Sequence, residues 1–437
     1  MLKSVRLKNF KLHEDTSIEA APITVFIGPN NTGKSSIFQA LLALGQAARR
    51  ASSDFLRPIQ RQPTSAEQPY LFPAHEIVDV GEFEDVLRHG QREMRIGVTG
   101  TIHSREVSRP LGEVEVSFDV ALRDNGLFYH DGHLSCSYGK FDWKWIGPFL
   151  PPSPSLSLQV DRFHVAFSVA AGYRLIGLSG YGPTTGDQQE MASIRELGEF
   201  LGRAPLGFLQ SFHPTFPLRG FEEWGYPLPD AAADNLERLT LTDRALAMAS
   251  ILAYDRAVRE RVSRWLEDLL QVGINFELQP GKRVTVRTIA PYGKDSGSLF
   301  ANEGTGANQL PFILVPIALT PPNETVFLSE PEAHLHPKGQ CELTRMLLTV
   351  AKKEHIQFFI ETHSEHVLHV ILNAIGKREW EPSEIAIYSF ENVNGTAKVT
   401  PLDVDEQGGV KGGLPGFFDQ SLDELTEYLE TLKKPSA

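Results

Sequence analysis

The stretch ITVFIGPNNTGKSS, residues 23–36, joins an apolar run to a glycine-rich loop, and the helical pattern IFQALLALGQAARR follows at once. The apolar run is typical of a central strand that is covered on both faces. The loop matches GxxxxGK[ST] at Gly28, Gly33, Lys34 and Ser35, in the strand, loop and helix order that supports the pattern. Backbone N–H groups of such a loop point at phosphate oxygens, and the helix N-terminus adds positive potential. An ordinary turn is the alternative, which this context disfavours.

The whole loop is therefore a candidate for binding ATP with Mg²⁺. Lys34 is expected to neutralise the β and γ phosphates, and the Ser35 hydroxyl is expected to bind the metal. The predicted phosphate-binding residues are Gly28, Pro29, Asn30, Asn31, Thr32, Gly33, Lys34, Ser35 and Ser36.

A second glycine-containing segment is EGTGANQLPFIL, residues 303–314. Gly304 and Gly306 precede a predicted helix, so free backbone amides would face outward there and form a second anion site. A glycine-rich helix cap without a ligand is the alternative, and this segment alone does not distinguish the two.

Two further apolar strands end in residues suited to phosphate chemistry. In TVFLSEPEAHLHP, residues 325–337, Glu330 stands at the strand tip, where a carboxylate can orient or deprotonate an attacking water. In FFIETHSEH, residues 358–366, the strand ends at His363, whose neutral imidazole can donate to a γ-phosphate oxygen. For Glu330 the alternative is a polar turn at the strand end. For His363 the alternative is a structural hydrogen bond.

The remaining pattern predicts an α/β protein. Helical and strand patterns alternate between residues 300 and 390, which is typical of a parallel α/β core. Short β-type stretches between about 94 and 230 predict an antiparallel sheet with a variable insertion.

Smaller predictions concern the connecting and terminal segments. The opening residues predict a strand through Phe10 and then a turn at HEDTS, residues 13–17. Residues 231–273 predict one helical segment with caps at Asp234 and Asn235. Residues from about 51 to 75 predict an exposed loop. A C-terminal amphipathic helix is predicted to dock on the core or on another chain through Leu422, Leu425 and Leu429.

Charge and cysteine content limit the expected partners and compartment. The 437 residues carry a formal net charge of −13, so there is no global positive field to hold nucleic acid or an anionic membrane. Cys136 and Cys341 form no CxxC pair, which is typical of a reducing cytoplasm. The N-terminal segment lacks the apolar core of a secretory signal, and no run reaches the about 20 apolar residues of a membrane helix. We expect a cytoplasmic protein.

The phosphate loop, the distant glycine segment, EPEAHLHP and THS occur in an order that identifies a family resemblance. The chain resembles the ABC-type ATPase heads of the structural-maintenance, recombination-mediator and overcoming-lysogenization-defect (OLD-like) proteins. Within that clan it is similar to stand-alone AAA-family ATPases of bacterial phage-defence systems. The resemblance covers residues 1–95 and 205–420 and includes KNFK, GEFEDVLRHG, PLRG and DEQGGVKGGLPGFFD, whereas residues 100–205 resemble no family that we can name.

The resemblance implies an α/β fold: an ABC-ATPase head of the P-loop NTPase type, with an antiparallel β lobe and a β/α insertion in the middle. The implied segments are an N-terminal ATPase lobe (1–95), a β-rich insertion or lid (96–230), a helical segment and strands (231–299), a C-terminal ATPase lobe (300–395), and a tail with a docking helix (396–437).

The resemblance also implies that two chains sandwich ATP head to tail, each nucleotide lying between one chain's phosphate loop and the partner's glycine signature. The implied signature residues are Gly304, Gly306 and Gln309. Glu330 would be the catalytic glutamate and His363 the switch histidine, with His336 in the inter-subunit loop. No metal-sensing glutamine is assigned.

The sequence departs from this family at Ser329, which stands where the family has an acidic residue that supports the metal. Because that acid acts through a metal-bound water, the Ser329 hydroxyl could still hold the water without supplying charge. We therefore expect slow hydrolysis rather than none. An ATP-gated scaffold or sensor with negligible turnover is the alternative.

Three other patterns suggest different chemistry. The histidines that suggest zinc are His334, His336, His363, His366 and His369, and the ATPase motifs or a helix account for each of them. Asp403 and Asp405 form the DxD pair of a toprim nuclease, which needs a longer segment than remains. A helix carrying Arg256, Arg259 and Arg264 could bind DNA or protein, although a solvated helix face is the preferred interpretation.

The expected partners are a second copy of the chain, or a larger homo-oligomer, and a separately encoded effector protein, for which a nuclease is one candidate. The defence role and the effector are inferred from the resemblance alone. A DNA-repair ATPase that clamps DNA ends is a third hypothesis, which the acidic balance and the lack of coiled-coil heptads disfavour. No membrane partner is expected.

Overall fold

The structure is a computed structural model that describes residues 1–55, 78, 80, 83–103, 113–123, 128–137, 139–146, 156–160, 163–169, 178–181, 188–215, 220–228, 244–289 and 297–414. The strands in these ranges are β1 (Leu2–Phe10), β2 (His13–Glu19), β3 (Ile23–Ile27), β4 (Glu93–His103), β5 (Glu113–Arg123), β6 (Phe128–Cys136), β7 (Gly139–Ile146), β8 (Leu156–Val160), β9 (Phe163–Val169), β10 (Leu178–Tyr181), β11 (Phe212–Pro214), β12 (Tyr226–Pro227), β13 (Gly273–Gln279), β14 (Arg283–Ile289), β15 (Thr325–Ser329), β16 (Gln357–Glu361), β17 (Ile385–Val393) and β18 (Thr396–Leu402). The α-helices in these ranges are α1 (Lys34–Phe55), α2 (Phe83–Val86), α3 (Gln188–Gln210), α4 (Arg244–Tyr254), α5 (Arg256–Leu270), α6 (Thr305–Leu319), α7 (Pro337–Glu354) and α8 (Glu365–Gly376).

A six-stranded sheet carries the predicted motifs. Its order is β11-β15-β16-β3-β17-β18, and its neighbouring strands are parallel except for β17 and β18. Parallel strands end at the same edge of a sheet, so the phosphate loop after β3, Glu330 after β15 and His363 after β16 meet there. The predicted parallel α/β core is confirmed.

Each face of this sheet packs into its own hydrophobic core, because successive side chains of a strand point to opposite faces. On one face Phe26, Phe327 and Phe359 pack with Phe38 of α1, with ring centroids 5.2–6.5 Å apart in tilted and edge-on arrangements. The core on the other face includes Val25, Ile27, Val326, Leu328 and Ile360. Shifting any of these strands by one residue would exchange its two faces, so the packing fixes where each strand ends.

A second six-stranded sheet is antiparallel and has the order β2-β1-β4-β5-β6-β7. It confirms the predicted antiparallel sheet and adds the N-terminal hairpin to it. The long helix α3 in the same region was not predicted. Its sequence contains glycines and Pro205, which lower helix propensity, but Leu197 and Leu201 recur at helical spacing and are fully buried.

The predicted turn at HEDTS is wrong. These residues lie in β2, which pairs antiparallel with β1, and the chain reverses earlier, at Lys11, where φ is +48°. Their polarity resembles that of a turn, but His13 and Thr16 are buried while their neighbours Glu14 and Asp15 face outward. A strand that is covered on one side can carry this many polar residues.

The predicted helical segment 231–273 contains two helices where it is described, α4 and α5. They are separated at Asp255, which adopts an extended backbone and caps α5 by accepting a hydrogen bond from the Val258 amide at 3.0 Å. The helical part ends before Gly273, which begins β13.

Several predictions lie outside the described residues: the caps Asp234 and Asn235, most of the loop at 51–75, and the C-terminal helix with Leu422, Leu425 and Leu429. The segment boundaries stay predictions. Within the described ranges, no helix combines the length and the apolar character needed to cross a membrane.

Candidate nucleotide site

The phosphate loop turns sharply between β3 and α1. Gly28 has φ +138°, and a Cβ at this position would overlap the carbonyl oxygen of Phe390 on β17. Gly33 has φ +97° and packs against the ring of His13. Both positions therefore require glycine, for backbone conformation and for close approach.

The ammonium group of Lys34 lies inside this loop. The side chain is buried, and its Nζ donates to the carbonyl oxygens of Gly28 at 2.9 Å and Pro29 at 2.7 Å. Burial lowers the pKa of Lys34, and the nearby carboxylates of Glu361 and Glu330 oppose this shift. A partly desolvated ammonium surrounded by loop carbonyls is well suited to exchanging them for phosphate oxygens.

The other predicted loop residues form the walls and the mouth of the loop. Thr32 is buried and its hydroxyl donates to the Pro29 carbonyl at 2.9 Å, which closes the turn. Ser36 begins the helical hydrogen bonding, with its amide donating to the Gly33 carbonyl at 3.1 Å. The exposed positions are Pro29, Asn30, Asn31 and Ser35.

Sequence reasoning missed one carboxylate at this mouth, that of Glu361. The Ser35 hydroxyl donates to its Oε1 at 2.6 Å, and the Ser329 hydroxyl lies 3.5 Å from its Oε2. Glu361 is buried, and burial raises the pKa of its carboxyl, while the hydrogen bond from Ser35 and the charge of Lys34 oppose this rise. The available signal was that Glu361 ends an apolar strand just before the THS motif.

Glu330 follows β15 directly, at the edge of the sheet that also carries the phosphate loop. Its backbone is left-handed, with φ +43°, and its amide donates to the Glu361 carbonyl at 2.8 Å. The left-handed conformation costs an L-residue about 1–2 kcal/mol, and strain of this kind clusters at functional sites. The Glu330 side chain is 49% exposed, so its carboxylate is accessible to water.

His363 faces Glu330 across the end of the sheet, with 3.5 Å between its Nε2 and the Oε1 of Glu330. Burial lowers the pKa of His363, the positive charge of Lys34 lowers it further, and Glu330 opposes both effects. The imidazole is therefore neutral near pH 7, in keeping with the protonation state expected for a donor to phosphate.

The buried side chain of Glu332 contacts the backbone of His363. It is 5% exposed, and its Oε1 accepts hydrogen bonds from the Thr362 hydroxyl and, at 3.3 Å, from the His363 amide. Burial raises the pKa of this carboxyl. Its Oε2 has no hydrogen-bond partner among the described residues. Glu332 therefore joins the EPE turn to the THS motif, a role that the sequence pattern did not reveal.

The predicted glycine signature lies at the start of α6, and its three residues differ in accessibility. Gly304 is the exposed N-cap, and a Cβ there would meet open space. Gly306 does not precede the helix as predicted but lies in its first turn, where a Cβ would overlap the His334 carbonyl oxygen. Gln309 is buried and donates to the Ala333 carbonyl. Gly304 is therefore the most exposed of the three residues, while Gly306 and Gln309 contact the EAHLHP turn of the same chain, and the role of all three as a signature stays a prediction.

The histidines that suggest zinc lie at separate positions along this region. His336 is the exposed N-cap of α7 and accepts from the Lys338 amide at 3.3 Å. Within the ranges that the structure describes, no group of three or more His, Cys, Asp or Glu side chains could hold a metal ion.

The DxD pair and the arginine helix form local contacts. Asp403 pairs with Lys411 at 2.7 Å, and Asp405 accepts from the Gln407 and Gly409 amides, as in a side-chain-capped turn.

On α5, Arg256 pairs with Glu260 of the same helix. Arg259 donates to the Leu252 and Ala253 carbonyls at the end of α4. The Nε of Arg264 donates to the Glu260 carbonyl at 3.3 Å. Each of these arginines therefore has a partner within α4 or α5, and the solvated helix face stays a prediction.

The chain was compared with curated proteins, solved structures and protein families. No curated protein matches the chain. Among solved structures, the SMC head domain from Thermotoga maritima is similar over 92% of this chain and 99% of its own, with a TM-score of 0.41 and 15% sequence identity. The Smc head domain from Pyrococcus furiosus, with an extended coiled coil and bound to the C-terminal domain of ScpA, is similar over 99% of both chains, with a TM-score of 0.44 and 13% identity.

A sequence profile shows the family directly. The profile of the AAA ATPase domain matches residues 1–98 and 244–368, which together are just over half of the chain. The two matched blocks contain the phosphate loop and, in the second block, Glu330 and His363. The chain therefore belongs to the AAA ATPase domain family.

Proposed function

We propose that this protein binds ATP with Mg²⁺ at the phosphate loop and hydrolyses it slowly. The observation that carries this proposal is the meeting of three motifs at one edge of the parallel sheet. The buried Lys34 ammonium, the exposed Ser35 hydroxyl and the Glu330–His363 pair all lie there. A phosphate ligand, a metal ligand and an acid–base pair are the groups that phosphoryl transfer to water needs.

The residues present fit both ATP and its metal. Mg²⁺ prefers oxygen ligands, and the mouth of the loop offers the Ser35 hydroxyl next to carboxylate oxygen. When bound, Mg²⁺ would neutralise phosphate charge. Lys34 would bind the β and γ phosphates, while the amides of the loop would hold the phosphate oxygens in a fixed orientation.

Glu330 is the proposed general base. Its carboxylate is exposed enough to meet a water molecule and is held at the strand end by its backbone hydrogen bond. It would orient the water and take a proton from it. His363, kept neutral by burial and by Lys34, would donate from Nε2 to a γ-phosphate oxygen. Glu332 would act as a positioning residue for His363 through its amide.

We further propose that ATP joins two copies of the chain head to tail. Gly304 supports this proposal, because it is an exposed helix N-cap with open space around it. The first amides of α6 have no acceptor within the helix, so they can bind the γ-phosphate held by a second copy. ATP binding would then contribute to the free energy of dimer association, and hydrolysis would allow the two copies to separate.

The output of this switch would pass to a separately encoded effector, a nuclease being one candidate, in a bacterial phage-defence system. The family resemblance is what supports this part of the proposal. DNA binding is the third hypothesis. The net charge of −13 predicts no salt-sensitive, ATP-dependent binding of duplex DNA in a fluorescence anisotropy titration.

Steady-state ATP hydrolysis by the purified protein tests the central activity. Glu330→Gln keeps the shape but removes the base, so turnover should fall about 10²- to 10⁴-fold while ATP still binds. Lys34→Ala should weaken ATP binding at least about tenfold. Glu260→Gln removes a surface carboxylate on α5 and serves as the matched control.

The scaffold alternative predicts a different pattern. If wild type binds ATP through Lys34 but turns over no faster than Glu330→Gln, the protein holds ATP without using it, and Ser329 marks a nucleotide-gated scaffold. If neither ATP binding nor hydrolysis depends on Lys34, the proposed site itself is wrong.

A further inference from the structure

The strand order places Glu361, rather than Ser329, next to the phosphate loop. β16 lies between β15 and β3, and in this parallel register Ser329 is opposite Glu361, which in turn is opposite Phe26. A residue that ends β16 is therefore one strand closer to the loop than a residue that ends β15.

The contacts of Glu361 agree with this placement. One carboxylate oxygen accepts the hydroxyl of Ser35, the predicted metal ligand, at 2.6 Å, and the other lies 3.5 Å from the Ser329 hydroxyl. The carboxylate therefore bridges the phosphate loop and the strand end where the family has its acidic residue.

In the described part of the chain, the side-chain hydrogen bonds of this buried carboxylate come from hydroxyl groups rather than from a cation. Glu361 is 4% exposed, and its two side-chain hydrogen bonds come from neutral hydroxyls. The ammonium of Lys34, whose charge acts on Glu361, donates its hydrogen bonds instead to the Gly28 and Pro29 carbonyls. Burying a carboxylate that accepts hydrogen bonds from neutral hydroxyls rather than from a cation is costly, and a divalent cation at the mouth of the loop would offset that cost.

We propose that Glu361 supplies the carboxylate that holds Mg²⁺ at the phosphate loop together with Ser35, in place of the acid that is missing at Ser329. This inference rests on the proposed ATP site and assigns its metal-holding charge to a different strand. Ser329 then serves to orient Glu361. The loss of an acid at position 329 is thereby compensated across the sheet.

Mn²⁺ binding in the presence of a non-hydrolysable ATP analogue tests this assignment without relying on activity. Electron paramagnetic resonance would measure free Mn²⁺ in titrations of the full chain and its variants. Glu361→Gln should weaken Mn²⁺ binding about 10- to 100-fold, the range seen when groups that orient a metal site are lost. When EDTA removes the metal, the affinity of the Glu361→Gln variant for the ATP analogue should equal that of wild type, because Lys34 and the loop amides are unchanged.

Three further variants make the result specific. Glu361→Asp keeps the charge and should lose less Mn²⁺ affinity than Glu361→Gln, which also provides a second variant if the first does not fold. Ser329→Asp combined with Glu361→Gln returns a carboxylate to the neighbouring strand end and should recover part of the lost affinity. Glu260→Gln should bind Mn²⁺ as wild type does.

The outcomes separate the two proposals. Wild-type Mn²⁺ affinity in Glu361→Gln, with the analogue still bound, would overturn the role of Glu361 and leave the ATP site intact. A wild-type protein that binds no analogue, with or without metal, would overturn the proposed function and this assignment together.

Discussion

At the scale of single residues, Glu332 shows how the EPE turn and the THS motif depend on each other. Glu332→Ala would leave the Thr362 hydroxyl and the His363 amide without their acceptor inside the protein. The free energy of unfolding should fall by about 1–3 kcal/mol, as measured by urea denaturation. Glu332→Gln keeps an acceptor oxygen and should cost less than half as much. Equal losses in the two variants would show that the hydrogen bonds do not stabilise the turn.

His13 gives a prediction about pH. Its ring is fully buried, with Nε2 2.9 Å from the Gly33 carbonyl and Nδ1 2.9 Å from the Thr16 hydroxyl. A carbonyl only accepts, so Nε2 carries a proton, and the Thr16 hydroxyl can donate to Nδ1 of the neutral ring. Burial lowers the pKa of His13 below its ordinary value of 6.5, the hydrogen bond to Gly33 opposes this shift, and Arg88 adds to it.

Because the unfolded chain binds this proton more readily, His13 should make the protein less stable as the pH falls below about 6.5. Each unit by which its pKa is lowered corresponds to about 1.4 kcal/mol. Urea denaturation at pH 7.5 and pH 5.5 should show a smaller loss of stability for His13→Gln than for wild type. An identical loss would mean that His13 does not contribute to the acid sensitivity of the fold.

Residue identities at the site were largely predictable, but their contacts were not. Sequence motifs predict the chemical roles of four residues: Lys34, Ser35, Glu330 and His363. Glu361 lies close to Ser35 because β16 lies between β15 and β3 in the sheet. No local sequence pattern contains this strand order.

At the scale of elements, the start of α6 has two glycines with different requirements. A Cβ at Gly306 would overlap the His334 carbonyl, whereas Gly304 faces open space. Gly306→Ala should therefore destabilise the fold by about 1–3 kcal/mol, because the EAHLHP turn must move away from α6. Gly304→Ala should change stability by about 0.5 kcal/mol or less.

Thermal unfolding of the two variants beside wild type measures this difference. A melting temperature that falls only for Gly306→Ala supports the contact between α6 and the turn. Equal melting temperatures for the two variants would contradict it.

The elements themselves were predictable where periodicity was strong. The parallel core followed from apolar strands that alternate with amphipathic helices. The strand β2 was missed because polar residues outnumber apolar ones in it, and α3 was missed because glycines and Pro205 interrupt its pattern. In both cases tertiary burial of a few side chains overrides weak local preference.

At the scale of the whole molecule, the site is assembled from both ends of the chain. β3, from the N-terminal region, pairs with β16 on one side and β17 on the other. The phosphate loop is therefore fixed only when residues more than 300 positions away have folded around it. The sequence predicted that these distant segments form one site, because the order of its motifs resembles that of a known family. The intervening insertion resembles no family, so its role could not be predicted.

If ATP is hydrolysed at a site shared between two copies, as proposed, two variants with defects in different halves of that site should complement each other when they are mixed. Lys34→Ala removes the phosphate-loop ammonium, and Gly304→Asp places a negative charge at the α6 N-cap. Aspartate is a good N-cap residue for α6 itself, so this second variant should fold but repel a partner's γ-phosphate.

Each variant alone should be inactive. An equimolar mixture should recover ATP hydrolysis, because one intact phosphate loop and one intact signature meet in every mixed dimer. Full activity of Gly304→Asp alone, or a mixture that stays inactive while wild type hydrolyses ATP, would contradict the shared site.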